Sequence, residues 1–159
     1  MRSVTLSNLV RTAIIGMLAC LLVGGAFVLP AVGTQVRSAN PGLADAYWPW
    51  LGFLWATCLP CLAILVLFWK VSTNIRVEKV FSLATAHWVK AAALLLFAAV
   101  GWFFVGNVVL LLAGLSHPAV ALLSLFIDVL ALAIAVLLAV LSRYLTTGSA
   151  LQAEVDATV

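Results

Sequence analysis

Charge is what this chain has least of. Eight Lys or Arg and five Asp or Glu make up 8% of its 159 residues, whereas 66% are hydrophobic and the mean hydropathy is +1.26. A soluble domain carries about 25% charged residues to cover its surface, so a soluble fold is excluded. The few basic residues are dispersed, which excludes the concentrated basic face of a nucleic-acid binder and, with it, direct contact to nucleic acid. Only three cysteines and two histidines are present. Gly-rich phosphate loops, internal repeats, low-complexity tracts and long linkers are missing. With no catalytic constellation, the expectation is a protein that is not an enzyme and takes no cofactor or metal.

What the chain does have is long apolar runs. Four of them, at residues 9–32, 47–69, 89–114 and 119–141, exceed the ~20 apolar residues that cross a ~30 Å hydrocarbon core as a helix. Transmembrane barrels need more and shorter strands than this length allows. The fold class expected is an all-α, polytopic four-helix transmembrane bundle forming a single domain, with residues 142–159 as a tail. The first run continues a dozen residues past Cys20, longer than a signal core needs, so an uncleaved first span is expected. Arg2, Arg11, Lys70, Arg76, Lys79, Lys90 and Arg143 fall on the side of both termini, and Arg37 alone falls on the other. Seven against one places both termini in the cytoplasm. Tyr47, Trp48 and Trp50 then mark the outer interface, and Trp69 and Trp88 the inner one.

The stretch CLPC, residues 58–61, has the spacing of a thiol redox pair. Cys58 lies eleven residues after Tyr47, which is ~16 Å below the outer interface at 1.5 Å per residue. Cys20 is similarly deep, and the outer loop holds no cysteine to relay electrons. A thiolate is the reactive form and is disfavoured in hydrocarbon. Neither His87 nor His117 reaches that depth to complete a metal site. Helix filling is the expected role, with Pro60 kinking the second span. A membrane thiol oxidoreductase using Cys58 and Cys61 is the lesser alternative.

Asp128 is the sole acidic residue inside a span, ten residues past Pro118. Insertion of a carboxylate there costs at least ~2.5–3.5 kcal/mol, so it needs a partner, a proton or water. Ala121, Ser124, Asp128, Ala131, Ala135 and Ser142 form a small-residue stripe that turns it toward a neighbouring helix. Asn107 and Thr57 fall at comparable depth. The three are expected to form an intramembrane polar layer, either a hydrogen-bonded staple or a proton or cation site. The second choice corresponds to a small proton-coupled transporter or exporter using Asp128.

Toward the cytoplasm, residues 71–88 read as a loop in which Arg76 and Lys79 face lipid headgroups. Ser82, or the stretch from Ser72 to Asn74, is expected to cap short helices there. Gly148 is expected to interrupt the fourth helix. Beyond it, Leu151 and Val155 at i and i+4 lie among acidic Glu154 and Asp156, a small mixed surface suited to a basic protein.

The inner-loop pattern NIRVEKVFS, with Ile75, Val80, Phe81 and Ser82, resembles that of the bacterial YoaS-like family of small four-span membrane proteins, a domain of unknown function. So do the third and fourth spans and the closing pattern of Gly148, Leu151, Glu154, Asp156, Thr158 and Val159. Where that family has Gly before Lys in the inner loop, this chain has Glu78. Members are often encoded beside a very small helix-turn-helix transcription regulator. The resemblance therefore implies the membrane component of a regulatory pair in the bacterial inner membrane. The partners expected are the lipid bilayer, such a regulator and a second copy of the chain.

Overall fold

The computed structural model describes residues 2–39, 41–76 and 81–157, with side chains for 4–39, 41, 42, 44–76 and 81–151. Helix α1 (Arg2–Val23), a π-helical turn (Gly24–Val28) and α2 (Leu29–Ala39) form one rod. A 3-10 turn (Pro41–Ala46) leads into α3 (Tyr47–Arg76), followed by α4 (Leu83–Leu112) and α5 (Pro118–Ala157). The first rod, α3, α4 and α5 are each long and apolar enough to cross a membrane, and no strand occurs among the described residues.

The helices overrun the apolar runs at the end that carries both termini. Only residues 77–82 separate α3 from α4, so the loop expected over 71–88 is mostly helix. Gly148 does not interrupt α5, whose 40 residues continue to Ala157. Hydropathy marks where lipid ends, but a helix stops only where its orphaned backbone groups find other partners. Ser82 supplies that stop for α4, its Oγ accepting the Thr85 N–H at 3.2 Å. The cap thus belongs to the third span itself rather than to a short extra helix. At the other end, Gly114 adopts φ 71° and the Leu115 N–H donates to the Leu110 carbonyl, a left-handed helix stop. Pro118 then opens α5, where its missing N–H costs nothing, and His117 Nδ1 accepts the Ala119 N–H at 3.2 Å.

The π turn has a local cause. Proline at position 30 cannot donate, and the Leu29 N–H goes to the Gly24 carbonyl, five residues back. In that register the Gly25 carbonyl would look to residue 30, which has no N–H. The indole of Trp55 on α3 donates to it at 2.9 Å instead. A backbone fault in the first span is thereby closed by the second, as a low-dielectric environment demands. The same crossing brings Cys58 Sγ to 3.9 Å of where a Gly25 side chain would begin.

Each rod meets only its neighbours in sequence, and among the described residues the first rod and α5 make no contact. The four-helix bundle is therefore open, a row rather than a ring. One glycine seats one aromatic ring at each junction. Gly33 receives Tyr47, Gly106 receives Phe53, and Gly148 receives Phe81. A Cβ on Gly33 would lie 2.7 Å from Tyr47 Cε2, and one on Gly148 would lie 2.9 Å from Phe81 Cδ1. Phe53 also stacks on Phe103 at 5.7 Å. Most buried positions of α4 and α5 are small, Ala86, Ala92, Ala93 and Ala99 on one and Ser124, Ala135, Ser142 and Ser149 on the other, with Val89 and Leu145 joining Ala86 in an apolar cluster. Close backbone approach substitutes there for the hydrophobic driving force that lipid removes.

Candidate functional site

Two places gather polar side chains. The first is the end of the row that carries both termini. Ser7 and Ser72 are fully buried and exchange hydrogen bonds, Ser7 Oγ donating to the Ser72 carbonyl at 3.0 Å and Ser72 Oγ to the Ser7 carbonyl at 3.2 Å. Arg11 lies over the Trp69 ring at 5.0 Å and donates to Thr73 Oγ1 at 3.2 Å. Lys70 sits 5.8 Å from the Trp88 ring, which ties α3 to α4 by a cation–π contact. Asn74 Nδ2 donates to Thr85 Oγ1 at 2.8 Å and to Ser82 Oγ at 3.4 Å. Phe81 closes the series against Gly148. Asn74, Phe81 and Ser82 thus meet Gly148, more than sixty residues further along the chain, at one end of the molecule. Sequence reasoning missed the serine pair and the Phe81–Gly148 seat. Two lone serines and a glycine at helical positions carry no signal until their partners are known.

The candidate partner-binding residues emerge from this end. Arg76 is exposed at the end of α3 and Leu151 on α5. Lys79 lies outside the described residues, as do the side chains of Glu154, Val155 and Asp156, whose backbone continues α5.

The second place is mid-span. Asp128 is 6% exposed, buried between α5 and α4. It shares a cavity of about 290 Å³ with Asn107, Ser124, Phe104, Val108 and Leu122. Thr57 does not line that cavity, since α3 and α5 do not touch, and its hydroxyl returns to the Phe53 carbonyl at 2.9 Å. Asn107 Nδ2 likewise donates to the Phe103 carbonyl at 2.8 Å. Asp128 and Asn107 are therefore brought together, and the third member stands apart.

His117 is exposed beside a second cavity of about 320 Å³ at the opposite end, lined also by Arg37, Tyr47 and Trp50. Cys20 is exposed, while Cys58 and Cys61 are half-buried free thiols on one continuous helix. Among the described residues no three His, Cys, Asp or Glu side chains gather as a metal site would require.

Four long apolar helices, with every Lys and Arg among their described residues near a span end and Asp128 the acidic exception within one, define a multi-pass helical membrane protein. Residues 31–159 match the model of the family described as protein of unknown function (DUF2975), and the chain belongs to that family. No curated protein and no solved structure matches it.

Proposed function

We propose that the protein is a non-catalytic membrane anchor that holds a small cytoplasmic helix-turn-helix regulator at the bilayer. The observation that carries this reading is the unbroken run of α5 from Pro118 to Ala157. From Ser142 onward it projects ~24 Å beyond the apolar run. The Phe81–Gly148 contact braces it, and Ser142, Leu145 and Ser149 are buried along it. A braced arm holds its outer turns in a fixed place, which lowers the ordering cost of docking. In sequence those turns hold Leu151, Glu154, Val155 and Asp156, apolar and acidic residues of a kind that suits a basic DNA-binding face. The Lys and Arg asymmetry supports a cytoplasmic position for this end. DNA and the arm would compete for the regulator.

A second reading, a small proton-coupled carrier, draws on Asp128, buried and without a hydrogen-bond partner among the described residues. Among the described residues no basic side chain lines its cavity to receive a proton. The thiol oxidoreductase alternative is weakened by the depth of Cys58 and Cys61, half-buried free thiols in the middle of an apolar span.

The test is a pull-down of tagged, solubilised protein with and without residues 152–159, a truncation that spares the Phe81–Gly148 contact. A helix-turn-helix protein recovered only with the intact arm supports the reading. Identical partners from both forms overturn it.

A further inference from the structure

The groove at Asp128 is built like a binding site, independently of any docking at the α5 arm. Its walls come from α4 and α5 alone. Phe104, Val108, Leu122 and Leu125 on those walls are exposed on the face that meets lipid. Entry is therefore lateral, from the hydrocarbon, and selects molecules that dissolve in it. At about 290 Å³ the cavity sits at the small end of the ~300–1,000 Å³ typical of ligand pockets.

Each of the three polar side chains in this apolar groove keeps an acceptor to offer. Asp128 offers its carboxylate and accepts no hydrogen bond among the described residues. Asn107 Nδ2 spends one of its two N–H groups on the Phe103 carbonyl, and Oδ1 accepts no hydrogen bond among the described residues. Ser124 Oγ has spent its proton on the Ala121 carbonyl at 2.9 Å, and its lone pairs remain. Among the described residues no cation answers them. Lys90 is 17 residues from Asn107 and Arg143 is 15 from Asp128, each more than ~20 Å away along its own helix. Three acceptors, one of them able to carry negative charge, match the three donors and single charge of a primary ammonium.

We propose that the α4–α5 groove binds a small lipophilic primary amine, its ammonium held by Asp128, Asn107 Oδ1 and Ser124 Oγ and its hydrocarbon body among Phe104, Val108 and Leu122. A buried carboxylate costs stability, and a ligand that supplies its missing counter-charge explains why the chain keeps one there. A hydrocarbon-only occupant would leave all three acceptors unanswered. A second copy of the chain would have to insert a cation that the described α4 and α5 faces do not carry at this depth.

Aminoadamantane is a suitable probe, with adamantanol of the same shape and adamantyl-trimethylammonium of the same charge as competitors. Binding of tritiated aminoadamantane to the full chain in lipid nanodiscs is the measurement. The expected result is saturable binding that weakens at least about tenfold, ~1.4 kcal/mol, in Asp128→Asn. It should be lost in Leu122→Trp, which fills the groove from its exposed side without touching the carboxylate. The two competitors should displace the probe poorly, one lacking charge and the other lacking N–H donors. Equal binding by wild type and Asp128→Asn, effective displacement by adamantanol, or no saturable binding to the wild type would overturn the proposal. So would a wild-type dimer that Leu122→Trp dissociates, since the groove would then be occupied by a second copy.

Discussion

Glycine acts here through what it allows to come near. Gly106 has the Phe53 ring where its side chain would be, whereas Gly101, less than two turns earlier on α4, has nothing within 4 Å. The two therefore separate packing from helix propensity in a single helix. Gly106→Ala should destabilise by ~1–3 kcal/mol through overpacking. Gly101→Ala should be neutral or stabilising by up to ~1 kcal/mol, because alanine is the better helix former. Thermal unfolding in detergent, followed by helix circular dichroism, checks both. A Phe53→Leu change placed on Gly106→Ala should recover part of the loss, because the two positions share one contact. Asp128 is the opposite kind of residue, buried with no hydrogen bond among the described residues. Its stripe of small neighbours was readable from the spacing of Ser124, Ala131, Ala135 and Ser142. That Thr57 would turn away was not readable, because depth along a helix says nothing about which neighbour a face meets.

At the scale of the element, the first span shows how a helix fault is tolerated in lipid. The Gly24–Val28 π turn shifts the missing donor onto the Gly25 carbonyl, and Trp55 supplies it. Trp55→Phe keeps the ring and removes the N–H, which leaves a backbone carbonyl unanswered. The expected cost is about 1–2 kcal/mol. The loss should register as a lower unfolding temperature, and Trp48→Phe, whose exposed ring has no such bond, should not show it. No change in Trp55→Phe would mean that the turn satisfies its own carbonyl. α5 teaches a related lesson. Glycine at position 148 read as a helix interruption, yet the helix continues because the ring of Phe81 fills the place of a side chain there. The same residue that weakens a helix in water strengthens a junction between helices.

Seen whole, the molecule is a row of four rods tied most closely at the end carrying its termini. A row leaves the outer faces of the first rod and of α5 without partners in the monomer. Cysteine pairs test this arrangement once Cys20, Cys58 and Cys61 are replaced by Ala. Ser7→Cys with Ser72→Cys should cross-link readily within one chain. Ala13→Cys with Leu137→Cys, which would join the first rod to α5, should not. Efficient cross-linking of the second pair in monomeric protein would close the row into a ring and overturn the open arrangement. Reporter fusions at Thr34, Asn74, Ser116 and Val159 should read outside, inside, outside and inside. An outside signal at Val159 would reverse the orientation on which the docking proposal depends.

The number of spans, their approximate positions and the single acidic intruder were all determined by the order of residues. Each is a relation between one residue and its solvent, and an apolar run prefers hydrocarbon whatever lies beside it. Cap chemistry at Ser82 and Gly114 is similarly local. Only the tertiary structure decided that the spans stand in a row, and that Gly33, Gly106 and Gly148 each receive a ring. The same holds for Trp55 completing the backbone of another helix, and for Asn107 sharing a groove with Asp128 while Thr57 does not. The reason is that lipid tails and leucine side chains are equally apolar, so hydrophobicity cannot tell one helix neighbour from another. Neighbours in a membrane are chosen by how closely two backbones can approach and by which polar groups then meet. Those are properties of pairs of helices, and they exist only once the chain has folded.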